Sequence, residues 1–254
     1  VDEPPGTAGP SRPLVEICVG DLRSALAAGE GGADRVELCD RLEVGGTTPS
    51  AGTIAEACRR LAIPVHVLIR PRAGDFAPDE PEMAAMRDDV DAARRLGASG
   101  VVLGVLHRDG TIDREATAGL ADLARPMSVT FHKAFDQTPD LDEALETLVA
   151  LGVDRVLTSG GRPSAEEGAD ALARLVTTAG DRIGILVAGR LSVENLPAIV
   201  GRTRAREIHL GSAAVGSVRS PCAFTPRDGS SLDWTGVRAE NVRRIMETVA
   251  SLAT

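Results

Sequence analysis

Five pairs of polar residues sit two or four positions apart in the sequence: Glu16 with Cys18, Glu37 with Cys39, His66 with Arg70, Thr130 with His132, and Glu207 with His209. Even spacing places both members of a pair on the same side of an extended strand. Their types suit definite chemistry. Carboxylates and imidazoles move protons, guanidinium groups hold carboxylates or phosphates in two-point contacts, and thiolates are soft metal ligands. Glu16, Glu37, His66, Arg70, His132 and His209 are therefore the candidate catalytic residues. Each also has a structural reading. A strand glutamate pairs with an arginine such as Arg70, and His66, early in its strand, suits a hydrogen-bonded core histidine. His132, at the end of its strand, suits a functional one.

The elements that must position these groups alternate eight times between β-rich runs and helical periodicity. Strands are expected at 14–19, 35–39, 65–70, 100–106, 128–132, 155–159, 183–188 and 207–211. Between them, Met83, Met86, Val90, Ala93 and Leu96 recur at three- and four-residue steps over residues 82–96, as on one face of a helix. Asp21, Ser50, Asp140, Ser164 and Ser192 mark helix starts, and Ser164 with Glu167 has the form of a capping box. The turn that ends a helix and opens a strand recurs in Gly32-Ala-Asp-Arg-Val36, Gly97-Ala-Ser-Gly-Val101 and Gly152-Val-Asp-Arg-Val156. Eight such units without a break in composition predict one closed (β/α)₈ (TIM) barrel over residues 14–254. A long final loop is expected at 215–231, a last helix at 235–252, and a disordered tail at 1–13 with four prolines.

In such a barrel the chemistry lies where the strands end. The run from Arg70 to Phe76 sets Arg72 and Asp75 just beyond the third strand, either to hold an anion or to clamp each other. Gly189 after the seventh strand, and Gly211 with Ser212 after the eighth, occupy the usual phosphate-cradle position. Lys133 and Asp136 follow the fifth strand and complete the candidate substrate-binding set. A Schiff base on Lys133 is disfavoured by its phase, opposite to that of His132.

Composition excludes several classes. The net charge is −9, aromatics are 2% and tyrosine is absent, which argues against a nucleic-acid reader. With 43% hydrophobic residues, the core must be aliphatic, as in a parallel sheet covered on both faces. Cys18, Cys39, Cys58 and Cys222 show neither finger-like nor redox spacing. No apolar run approaches membrane-spanning length, no leader is evident, and cytoplasmic placement is expected. No nucleotide cofactor is expected.

The segments Ile17-Cys-Val19, Gly31 to Cys39, Gly45-Gly-Thr-Thr-Pro-Ser50, Ile69 to Phe76, Thr130-Phe-His-Lys-Ala-Phe-Asp136, Val156 to Gly160 and Glu207-Ile-His209 follow one another in order. Together they resemble the CutC family, named for copper homeostasis. The resemblance implies a cytoplasmic (β/α)₈ barrel, often a homo-oligomer, that binds copper(I) through the cysteines matching Cys18 and Cys39. Those two lie on neighbouring strands and, if in register, bring their sulfurs within a few ångströms. Some positions depart from the family pattern. Val44 and Thr47 stand in a Glu-Gly-Gly-Leu-Thr-Pro-Ser motif, Lys133 stands for an arginine, and Arg190 for a small residue. Two functions stay open: a copper homeostasis protein, or an isomerase, aldolase or lyase acting on a small anionic oxygenated substrate. In the second, Glu37 or His132 is the base, and Arg70 with Arg72 holds the anion.

Overall fold

A computed structural model describes residues 12–222, 224, 226–228 and 230–253. Apolar runs flanked by helix caps fold into eight parallel strands: β1 (Leu14–Val19), β2 (Arg35–Leu38), β3 (Val65–Leu68), β4 (Gly100–Leu103), β5 (Ser128–Phe131), β6 (Arg155–Thr158), β7 (Gly184–Val187) and β8 (Glu207–Leu210). Each pairs with the next, and β8 returns to β1 with Glu16 opposite His209, so the sheet closes into a (β/α)₈ barrel. The outer ring is α1 (Leu22–Glu30), α2 (Ala51–Arg60), α3 (Glu80–Arg95), α4 (Arg114–Ala124), α5 (Leu141–Ala150), α6 (Ala169–Ala179) and α7 (Leu196–Thr203). The core between helices and strands is aliphatic, with Phe131 and Phe135 its largest fully buried side chains.

The recurrent turn has a physical basis. Gly32, Gly97 and Gly152 have φ of +91°, +90° and +67°, the region where a Cβ is costly. In two of the three turns the aspartate after the glycine reaches sideways. Asp34 accepts from the backbone N–H of Val15 and Asp154 from that of Val129, each at 2.8 Å. The same turn therefore also sets the start of the preceding strand.

Asp21, Ser50 and Asp140 cap helices as expected. Ser164 does not. Its capping-box bonds with Glu167 close an isolated turn, and α6 begins only after Gly168, where a Cβ would stand 1.9 Å from the Ser159 carbonyl oxygen. Ser192 likewise bonds Asn195, which itself precedes α7. The expected loop at 215–231 and helix at 235–252 also need correction. Val215–Val218 (β9) pairs antiparallel with Trp234–Val237 (β10), and the last helix, α8, spans Ala239–Ala250. The tail expected at 1–13 lies outside the described residues except for Arg12 and Pro13. There Arg12 forks onto Asp34 with bonds of 2.6 and 2.7 Å.

Candidate functional site

The inward charges on the strands form a floor. Register places Glu16 opposite Arg35 on β2, and the Arg35 Nε donates to the Glu16 carboxylate. Arg35 also donates to Glu207 at 2.7 Å, and Arg155 donates to the same Glu207 oxygen at 3.1 Å and to Ser128 at 2.7 Å. Two carboxylates and two guanidinium groups thus neutralise one another inside the barrel, which buried charges require. Burial alone would raise the Glu16 carboxyl, but Arg35 and His209 outweigh it and hold it well below the usual carboxylate range.

Above the floor lies a sulfur and carboxylate cluster. The cysteines are not in register, since Cys18 faces Glu37 across the ladder and Cys39 is two residues further on. The tilt and stagger of barrel strands still bring the side chains together, with Sγ to Sγ at 3.9 Å. One ligand atom from each of Cys18, Glu37 and Cys39 lies within 4.8 Å of the other two. His209 spans the two levels, with Nδ1 2.7 Å from Glu16 and Nε2 3.8 Å from Glu37. Cys39 is buried against Leu68 and Val102, whereas Cys18 is half-buried.

The electrostatics follow from these contacts. The hydrogen bond from Cys39, with help from His209, draws the Cys18 thiol well below its ordinary value, while the same bond and burial push Cys39 well above. Burial and the Cys18 thiolate push the Glu37 carboxyl up. His209 resists burial because Cys18 and both glutamates favour its charged form, and it rises well above an ordinary imidazole. The contacts therefore favour the charged form at Cys18 and His209 and the neutral form at Cys39 and Glu37. Such a set suits soft-metal capture after proton release, or proton transfer.

The other candidates take different places. His66 is buried over Gly100, where a Cβ would stand 2.6 Å from its ring, and Nδ1 has no hydrogen-bond partner among the described residues. Burial, with Arg35 and Arg155 adding to it, brings His66 down to about 3. The burial fits a core histidine, but the hydrogen bond expected of one is not among the bonds of the described residues. His132 packs at 4.9 Å against the Phe76 ring, and Nδ1 accepts from the Ala134 N–H at 3.3 Å. Burial, then Arg70 and Lys133, bring it to about 3 as well, so it stays neutral and outside the cluster.

Arg70 lies beyond β3 rather than in it. Its guanidinium donates to the carbonyls of Gly46 at 2.9 Å, Gly45 at 3.3 Å, Val44 at 3.4 Å and Gly74 at 2.8 Å, and it stacks over Phe76. It is no partner of Glu16 or Glu37. Arg72 is clamped by Asp75 and Glu82. Lys133 lies in a 3₁₀ turn after β5, where the two-residue phase of a strand no longer applies. Its Nζ crosses the mouth to the Gly45 carbonyl at 3.1 Å. Asp136 accepts from Thr158 Oγ1, from Ser159 N at 3.0 Å and Oγ at 3.1 Å, and from Gly161 N at 2.8 Å, which ties the segment after β5 to that after β6. Gly189 packs tightly on Ser159, and its carbonyl accepts from Ala165. Gly211 lies beside Cys18, and Ser212 opens a short 3₁₀ turn.

Sequence reasoning placed neither Arg35 nor Arg155 in the site, nor Gly100 beneath His66. A signal for the arginines existed. Both occupy the same position in the recurrent Gly-x-Asp-Arg-Val turn, which puts a guanidinium at the start of β2 and of β6.

The CutC family model matches residues 13–214. A CutC family protein of Mesorhizobium japonicum is 48% identical over 225 residues, covering 87% of this chain and 86% of the relative. The human copper homeostasis protein cutC homolog is 45% identical over 207 residues, covering 81% and 76%. The crystal structure of the Streptococcus agalactiae CutC protein is 36% identical and superposes with a TM-score of 0.74, over 78% of this chain and 98% of that one. With this match across the barrel, the chain belongs to the CutC family.

Proposed function

We propose that the chain works in copper homeostasis by binding Cu(I) between Cys18 and Cys39. The observation that carries this is the pair of sulfurs 3.9 Å apart at the barrel mouth, one of them already drawn toward the thiolate. Thiolates are the soft ligands that favour Cu(I), and binding displaces the proton that the pair retains. Both cysteines are free, the state a reducing cytoplasm maintains. In keeping with the family resemblance, we take the working form to be a homo-oligomer. Titrating reduced protein with Cu(I) against a competing chelator tests the reading. Cys18→Ser and Cys39→Ser should each lose tight binding, and unchanged affinity in both rejects it.

A second reading is favoured by one observation: Lys133 and Arg70 both donate to the Gly45 carbonyl, and neither has a carboxylate within 4 Å among the described residues. Two cations at the mouth that make no close ion pair among the described residues suit an enzyme for a small anionic oxygenated substrate, with Glu37 and His209 moving the proton. His132, held neutral by burial, is the alternative base, and Arg72, clamped by Asp75 and Glu82, the alternative anion contact. Unchanged turnover of a detected substrate in Glu37→Gln would end this reading.

A further inference from the structure

We propose that Glu37 joins Cys18 and Cys39 to make a three-donor site for a four-coordinate divalent cation, Zn²⁺, with one position left open. The inference rests on reading the thiol pair as a metal site and extends it to a second metal and a third ligand.

The sulfur separation carries the first part. Two sulfurs 3.9 Å apart, each about 2.3 Å from a shared metal, subtend about 116° at it. A linear dithiolate at the same bond length needs them about 4.6 Å apart, whereas the edge of a tetrahedron needs about 3.8 Å. The pair is thus set for a bent arrangement, which calls for further donors.

Glu37 supplies one. Its carboxylate oxygen belongs to the group of three ligand atoms that lie within 4.8 Å of one another. A carboxylate is a poor partner for Cu(I) but an ordinary one for Zn²⁺ alongside cysteine. The carboxylate is also braced from behind, as ligands of this kind usually are. His209 Nε2 stands 3.8 Å from it and is itself fixed by Glu16, whose other oxygen takes Arg35.

The remaining direction is open. Leu68 and Val102 close the site beside Cys39, but Cys18 is half-buried, and a Cβ on neighbouring Gly211 would meet nothing closer than the Cys18 Cβ at 3.7 Å. Two thiolates and a carboxylate leave one negative charge over on Zn²⁺. Lys133 lies at the same mouth, its Nζ 3.1 Å from the Gly45 carbonyl. A fourth ligand at this opening is water or a small oxygen donor, the arrangement of zinc sites that activate a bound molecule.

Co²⁺ and Zn²⁺, added to the reduced full chain without oxygen, test the proposal. Co²⁺ should give a thiolate-to-metal charge-transfer band with tetrahedral ligand-field bands, and Zn²⁺ should displace it. Glu37→Gln should weaken Zn²⁺ by about 10-fold or more, because Zn²⁺ uses the oxygen. X-ray absorption of the Zn²⁺-loaded wild type should find two sulfur and two light-atom ligands, a result that needs no variant to fold. An octahedral Co²⁺ spectrum without the charge-transfer band, a sulfur-free zinc shell, or full Zn²⁺ affinity in Glu37→Gln overturns it. The copper reading falls separately, if Cys18→Ser and Cys39→Ser keep their Cu(I) affinity.

Discussion

Glu16 gives one carboxylate oxygen to His209 at 2.7 Å and the other to Arg35, so one buried side chain joins the floor of the barrel to the thiol cluster. Glu16→Gln removes the charge that both partners need and leaves Arg35 short of its counter-ion. Breaking a buried pair from one side costs about 3–5 kcal/mol. Urea unfolding should show a loss of that size, together with a lower His209 pKa by NMR. A stability within about 0.5 kcal/mol of wild type, the range of ordinary surface changes, would show that the pair is not structural.

Acid should expose the cost of the neutral histidines. His132 is at about 3 in the fold against 6.5 when unfolded, so its contribution is undiminished above pH 6.5 and is lost progressively as pH falls toward 3. The loss is about 1.4 kcal/mol per pH unit for each such group. His66 behaves alike. Glu37, whose folded value is raised, has the opposite slope above its unfolded value, and His209, also raised, loses its contribution only on the alkaline side. The difference between wild type and His132→Gln isolates one group. Wild type should lose ground to the variant by about 1.4 kcal/mol per unit between pH 6.5 and 4.5 in urea titrations. A constant difference would show that His132 titrates normally.

Gly100 and Gly104 should resist even a methyl group. A Cβ at Gly100 would stand 2.6 Å from the His66 ring, and one at Gly104 would stand 2.5 Å from His132 Nδ1. Overpacking of this kind costs about 1–3 kcal/mol. Because each clash involves one partner, Gly100→Ala should be less harmful in a His66→Ala background, a coupling that a double-mutant cycle reads directly. Additive effects would place the strain elsewhere.

Arg70→Lys keeps the charge but loses the planar fork that gathers the carbonyls of Val44, Gly45, Gly46 and Gly74. The expected loss is about 1–3 kcal/mol, concentrated in those two loops. Hydrogen exchange should quicken around residues 44–48 and 70–76 while the strands stay protected. Uniform acceleration across the barrel would contradict a local tether.

The eight strand positions were legible because each begins after a glycine turn, a proline or a polar break and runs apolar. Their ends were less so. The expected strands reached Arg70 and Leu106, but β3 stops at Leu68 and β4 at Leu103. Ile69, Val105 and Leu106 remain buried beneath loops, so hydrophobicity continues after the ladder has ended. β9 was hidden because Val215–Val218 is small, glycine-containing and partly exposed, and so lacks the alternation that marks a half-buried strand. In the site, period two grouped Glu16 with Cys18 and Glu37 with Cys39 correctly. It could not pair Arg35 with Glu207, which are 172 residues apart and meet only when the barrel closes.

The chain of ion pairs from Glu16 through Arg35 and Glu207 to Arg155 also makes the barrel a cup rather than a tube. Those ion pairs occupy the interior beneath the thiols, and half-buried Cys18 opens toward the rim where Lys133 reaches Gly45. On the proposed copper reading, entry and exit of the ion share that rim.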